Sequence, residues 1–461
     1  MVAQPRTLNI ARGAHTHRMP PTGLEGSRRE ANVIDFEGSN RRRPFGDHGM
    51  TGIKELRDVV DRFRAEERKA ATAVNLVPSE NRLSPLAQLP LSTDYYNRYF
   101  FNDALDPGFW QFRGGQEVAE IQTELARGHL SRLSRAPHVN ERPISGLSAM
   151  MMALAGLGGK PGGTVVSVGA ESGGHYATAG MARRLGFESA TVPVAHGQVD
   201  EQRLGQLLRE RTPQLLYLDL QNSRHELEVS RVAELIKEYS PSTLLHVDCS
   251  HTMGLILGSA LGNPLDAGAD TMGGSTHKTF PGPHKGVLFT RSPELHQRLK
   301  DAQFTMLSSH HFAETLSLGL AAAEFHHFGQ AYAEQVIANA RLFSKLLAAD
   351  GFDVAADENG HATSTHQVWV KIGDAERTDR ISQALYEHGI RVNVQVDLPG
   401  LPGPALRLGV NELTFTGGRE AAVHALAEEF GNARAGVRRD GDGARRVCEQ
   451  SGPPFYFAEF S

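Results

Sequence analysis

Lys278 is the one lysine in Gly273-Gly274-Ser275-Thr276-His277-Lys278-Thr279-Phe280-Pro281-Gly282-Pro283, a small, polar, turn-rich run between two apolar strands. An amine there is either an exposed loop lysine or a group in use. Burial readily lowers a lysine pKa, and the neutral amine captures carbonyl carbon as an imine. Upstream, Thr243-Leu244-Leu245-His246-Val247 reads as a strand ending in Asp248, followed by Cys249-Ser250-His251. Taken alone, Asp248 is equally a helix cap. Taken with Lys278, it suits the second end of one cofactor, pyridoxal 5'-phosphate (PLP). That ring withdraws electrons only while its nitrogen stays protonated, and a buried carboxylate keeps the proton there.

A phosphate needs free backbone amides. Pro143-Ile144-Ser145-Gly146-Leu147-Ser148 supplies a Ser-Gly turn leading into an apolar helix, so Ser145, Gly146 and Leu147 sit where a helix start attracts an anion. The same run also reads as an ordinary capped helix. Ser172-Gly173-Gly174-His175 follows another strand and places an imidazole where it could stack on a ring, although a lone histidine is more often a surface residue.

The elements that must position these groups follow from composition and periodicity. The 461 residues are 40% hydrophobic and 22% charged, the proportions of a folded chain with room for two or three domains. A net charge of −5 without a basic stripe argues against nucleic acid and for small-molecule partners. Two cysteines, Cys249 and Cys448, make neither a disulfide framework nor a metal cluster. No apolar run approaches the roughly 18 residues of a spanning helix, and no signal-peptide core opens the chain. The expectation is a soluble, cytoplasmic protein without a metal and without a membrane or nucleic-acid partner.

Residues 1–48 read as a disordered leader ending in Arg41-Arg42-Arg43, and 49–116 as an N-terminal helix, over 52–70, and an arm. From 117 to 330, helices alternate with apolar strands at Thr164–Val168, Leu215–Leu220, Leu244–Val247 and Val287–Phe289, which is the signature of a large α/β domain. Polar residues at the C-terminal ends of such strands face a ligand crevice. A long helix over 313–350 leads into a smaller α+β domain, 331–432, with strands at Gln367–Lys371 and Arg391–Val394 and helices at 377–388 and 419–430. Residues 433–461 read as a loose tail.

In this order the motifs resemble the serine hydroxymethyltransferase family of fold-type-I PLP enzymes, over about residues 52–432. Asp248-Cys-Ser-His251 and Ser-Thr-His-Lys278-Thr-Phe-Pro-Gly-Pro are similar to that family's Asp-x-x-His and Thr-Thr-His-Lys-Thr-x-x-Gly-Pro. Val77-Pro78-Ser79-Glu80-Asn81 is similar to its Ala-Ser-Glu-Asn, Asn97-Arg98-Tyr99 to its Asn-Lys-Tyr, and Ala405-Leu406-Arg407-Leu408-Gly409 to its Ile-Arg-Val-Gly. The resemblance implies a mostly parallel seven-stranded sheet and a homodimer with shared sites. It puts the imine on Lys278, the pyridine nitrogen on Asp248, the ring stack on His175, and His251 near the phenolate and substrate. Ser145, Gly146, Leu147 and His277 fall at the cofactor. Arg407 clamps the substrate carboxylate with Ser79 assisting, and Tyr99 reaches in from the partner. The partner's phosphate loop, Gly-rich in the family, reads Leu307-Ser308-Ser309-His310-His311 here, so Ser309 is the weakest of these assignments.

The sequence departs from that family where folate is handled. Phe101 replaces a glutamate, and Gln111-Phe112-Arg113-Gly114-Gly115 replaces Arg-Tyr-Tyr-Gly-Gly. A phenyl group transfers no proton. Retro-aldol chemistry survives that loss, and Phe100, Phe101 and Phe112 are expected to exclude water from the glycyl quinonoid. The Tyr96–Asn102 run resembles the L-threonine transaldolase branch, which takes a glycyl unit from threonine, releases acetaldehyde and attacks a second aldehyde, nucleoside 5'-aldehydes among them, in natural-product pathways. An ordinary hydroxymethyltransferase, a threonine aldolase and a non-catalytic binding protein are the alternatives.

Overall fold

Runs such as Thr164–Val168 and Leu215–Asp219 are buried at every position, which is possible only when a strand is covered on both faces. The computed structural model describes residues 53–100, 115–438 and 441–458. The expectations for 1–48, Phe101, Gln111, Phe112 and Arg113 fall outside the described residues. Arg64–Ser461 forms one compact unit. It contains a seven-stranded sheet ordered His138–Asn140, Gly286–Thr290, Thr271–Ser275, Leu244–Asp248, Leu215–Asp219, Thr164–Val168, Glu188–Val192. Gly286–Thr290 runs antiparallel to both neighbours, and the other pairings are parallel, so the mostly parallel α/β expectation holds.

The strand the sequence concealed is Thr271–Ser275, whose glycines read as turn. They are demanded by the sheet itself: a Cβ on Gly273 would lie 2.2 Å from the Val287 carbonyl oxygen, and Gly274 has φ +133°. Turn geometry begins only at Thr276. Helix Gly146–Leu157 packs on this strand and on Gly286–Thr290, which sets its first turn at the end of the sheet.

Helix Phe312–Ala349 is 38 residues long, close to the expected 313–350, and runs through Gly319 and Gly329. Beyond it lies an antiparallel sheet ordered Asp353–Val354, Gln367–Lys371, Leu401–Gly409, Asn393–Leu398. The expected strand 391–394 is divided. Ile390–Arg391 pairs with Val74–Asn75, and Asn393–Leu398 pairs with Leu401–Gly409.

The segment expected as a loose tail holds helix Asp442–Glu449, with Ala444 and Val447 buried, followed by the buried ring of Phe455. Its arginines suggest a solvated run, but they occupy only the outer face, where Arg446 reaches Glu428 and Glu429. Two small apolar residues at i and i+3 are enough to seat it. Among the described residues, no helix is long and apolar enough to cross a membrane.

Candidate active site

The parallel strands present their C-terminal ends on one side, and the chemistry collects there. Asp248 ends its strand in register with Asp219 on one neighbour and Gly273 on the other. Lys278 lies three residues past the strand Thr271–Ser275, and His175 follows Thr164–Val168. One cavity is lined by Gly146, Leu147, His175, Asp248, His251 and Lys278, together with Asp219, Gln221 and Ser275.

Burial lowers the Lys278 pKa to about 8; the Asp248 carboxylate opposes the fall and the Arg407 cation adds to it. Its backbone is fixed from behind. The Asn81 amide donates to the Lys278 carbonyl at 2.6 Å and Asn411 at 3.3 Å, while the Tyr332 hydroxyl donates to the Thr279 carbonyl at 2.7 Å. Asp248 accepts from the Tyr217 hydroxyl at 2.7 Å and from the Ser250 N–H at 2.8 Å, which fix its carboxyl group in place.

His175 accepts the Ala177 N–H on Nδ1 at 3.2 Å, so a neutral ring carries its proton on Nε2. Burial lowers its pKa, Asp248 resists, and Lys278 adds to the fall. Burial first, then the Lys278 and Arg407 cations, pushes His251 well below its ordinary value. Arg407 is buried on strand Leu401–Gly409. Nη2 donates to the Gln221 carbonyl at 2.6 Å and to His251 Nε2 at 3.2 Å, and Nε donates to Gln367 Oε1 at 3.2 Å. Burial brings its pKa to about 10, still a cation at neutral pH.

Ser145 caps helix Gly146–Leu157 in a reciprocal pair with Ser148: its Oγ accepts from the Ser148 N–H at 3.1 Å, and its N–H donates to Ser148 Oγ at 2.9 Å. The N–H groups of Gly146 and Leu147, at the start of the helix, are left for an anion. A Cβ on Gly146 would lie 2.0 Å from Ser275 Oγ, so only glycine lets that turn close on the strand. His277 Nδ1 is buried with no hydrogen-bond partner, its ring centroid 3.9 Å from that of His284. The amine, the carboxylate, the anion-binding turn and this orphan nitrogen together fit the amine-reactive, ring and phosphate parts of PLP.

Ser79 is half-buried beside Pro78, which abuts Gly409 and whose carbonyl faces His366; the His366 ring stacks on His251 at 5.6 Å. Tyr99 is half-exposed and does not line the cavity. Ser309 also stands apart from it, its carbonyl accepting from Arg142 Nη2 at 3.1 Å. Phe100 is fully buried in a small core with Val118, Ala119, Phe312 and Leu316. It is a packing residue, not a water barrier over this cavity, because its ring is already stacked on Phe312 at 5.5 Å. Sequence reasoning missed Gln221, which lines the cavity, and Tyr217, Gln367, Asn411 and Tyr332, which act on the site through neighbours. The one available signal was Gln367, a polar residue opening a buried strand.

The serine hydroxymethyltransferase family model matches residues 54–429. An L-threonine:uridine-5'-aldehyde transaldolase from Streptomyces sp is 84% identical over 412 residues, 89% of this chain and 100% of that protein. One of the same name from Amycolatopsis sp is 80% identical over 411 residues, again 89% and 100%. The crystal structure of L-threonine transaldolase from Pseudomonas fluorescens in the internal aldimine state superposes with TM-score 0.76 at 26% identity, covering 86% of this chain and 91% of that one. With the Asp248–His251 and Lys278 motifs meeting at one cavity and the family's model spanning most of the sequence, the chain belongs to the serine hydroxymethyltransferase family.

Proposed function

We propose that the chain is a PLP-dependent L-threonine transaldolase that cleaves L-threonine between Cα and Cβ, releases acetaldehyde, and adds the glycyl unit to uridine-5'-aldehyde. The product is a β-hydroxy-α-amino acid carrying the nucleoside. The observation that carries this reading is the convergence of Lys278, Asp248, His175 and His251 on one cavity, with Arg407 joined to it through His251. The names of the relatives at 84% and 80% identity support the donor and the acceptor.

When bound, PLP supplies an electron-withdrawing ring that stabilises negative charge left at Cα. Lys278, with a pKa of about 8, keeps part of its amine neutral near physiological pH and so offers a nucleophile to the cofactor's aldehyde carbon. With PLP bound, Asp248 would hold the proton on the ring nitrogen and His175 would lie against the ring. Nε2 of His175 is the donor for the oxygen that gains charge when the acceptor carbonyl is attacked. Arg407, oriented by Gln221, Gln367 and His251, takes the amino-acid carboxylate.

Incubating the enzyme with L-threonine, with and without uridine-5'-aldehyde, tests this reading by mass spectrometry. The expected result is acetaldehyde together with the nucleoside adduct. Glycine accumulating equally without acceptor would identify an aldolase, and efficient serine formation from glycine and a folate donor would identify a hydroxymethyltransferase. Lys278→Ala is expected to abolish both the adduct and the visible absorbance band of the holoenzyme.

A further inference from the structure

Beside the Lys278 cavity, and sharing Leu220 with it, is a second cavity of about 200 Å³. Its walls include Ser172, Asn222, Arg224, Trp369 and Pro399. Two of these carry unanswered polar atoms. Asn222, 8% exposed, has no partner on Oδ1, and Arg224, 6% exposed, has none on Nε. A buried acceptor and a buried donor without partners, on two residues of one cavity wall, are a standing cost that a new hydrogen bond removes.

The rest of the cavity wall is rigid. Arg224 Nη1 donates to the Ala355 and Ala362 carbonyls at 3.0 and 2.7 Å, and its guanidinium lies 5.1 Å from the Trp369 ring centroid. Trp369 Nε1 donates to Gln367 Oε1, the same oxygen that accepts from Arg407 Nε. The cavity is thereby braced against the arginine assigned to the donor's carboxylate. The Asn222 N–H donates to the Gly173 carbonyl at 3.0 Å, which ties the wall to the loop carrying His175.

We infer that this cavity holds the nucleoside end of the acceptor, with Asn222 Oδ1 accepting the uracil imide N–H and Arg224 Nε donating to an adjacent uracil carbonyl. The inference rests on the proposed transaldolase reading. A neutral heterocycle with neighbouring N–H and C=O groups answers both open atoms. An inorganic anion answers only the arginine and is repelled by the Asn222 oxygen.

The test combines binding and kinetics on the holoenzyme. Plain uridine, which has no aldehyde, is titrated calorimetrically against wild type and Asn222→Ala, and hydrogen exchange of wild type is followed with and without uridine. The expected results are about tenfold weaker uridine binding by the variant, the scale of one lost hydrogen bond to a buried group, and slowed exchange in residues 220–225 of wild type. In turnover with L-threonine, the ratio of kcat/KM for uridine-5'-aldehyde to that for benzaldehyde falls by a similar factor. Uridine affinity unchanged by Asn222→Ala, or no protection of 220–225 in wild type, overturns the inference, the second without depending on a variant's folding. Failure of the function reading looks different: wild type would form no adduct with uridine-5'-aldehyde whether or not it binds uridine.

Discussion

Asp219 and Asp248 stand side by side on adjacent strands, and they have different partners. Asp248 accepts from the Tyr217 hydroxyl and the Ser250 N–H, whereas Asp219, fully buried, accepts from the Thr178 hydroxyl. Burial, and then the charge of Asp248, outweighs Thr178 and raises the Asp219 pKa from 3.8 to about 8. It is a neutral acid in the wall of a cavity where a second negative charge would compete with Asp248 for the cofactor proton. In the unfolded chain Asp219 ionises near 3.8, while the folded chain holds its proton to about 8. Wild type therefore loses stability as pH rises through that window, and the loss levels off above it. Asp219→Asn removes the dependence. Thermal melts from about pH 5 to about pH 9 are expected to show the variant gaining several degrees on wild type as pH rises; parallel melting curves would contradict an acid held neutral. Tyr217→Phe tests the other carboxyl group: losing one buried hydrogen bond should cost about 1 kcal/mol in urea unfolding and weaken the holoenzyme's visible band.

At the scale of elements, the cofactor cradle depends on how closely one helix start approaches one strand end. Gly146→Ala sets a methyl against Ser275 Oγ, which pushes the turn off the strand; a cost of about 2 kcal/mol and weakened PLP retention are expected. Ser275→Ala removes the atom in the way, leaving the next contact at 3.2 Å. The double variant should then regain most of the stability and retention, a coupling seen in cofactor dialysis and in melting. Loss as severe in the double variant as in the single one would mean the glycine acts by some means other than close approach. The same pair shows what could be read from the sequence. Thr164–Val168 and Gln367–Lys371 were legible to the residue because continuous apolar runs bounded by Gly or polar residues resemble little else. Thr271–Ser275 was not, since its glycines are there for a neighbouring strand that no local pattern reveals. Lys278 and Asp248 were legible because each belongs to a motif with its own chemistry. Tyr217, Asn411 and Tyr332 were not, because a residue that acts by holding another is identified only by what it touches.

Over the whole molecule, the residue out of place is Tyr99. It is assigned to the substrate by resemblance, yet it stands half-exposed and off the cavity of its own chain. Ser309, assigned to the cofactor phosphate, is also off that cavity. Both positions make sense if two copies associate about a two-fold axis and each lends Tyr99 and Ser309 to the other's Lys278, since a two-fold interface makes such an exchange reciprocal. Subunit complementation distinguishes this arrangement from a self-contained site. Lys278→Ala and Tyr99→Phe, each nearly inactive alone, are mixed under conditions that exchange subunits. In half of the randomly paired dimers one site then combines an intact Lys278 with an intact Tyr99, so activity should recover to about a quarter of wild type. A self-contained site predicts no recovery, because every Lys278 that survives then shares its chain with Phe at position 99. The recovered activity should also fall on dilution below the dimer dissociation constant, whereas a monomeric enzyme keeps its activity per chain.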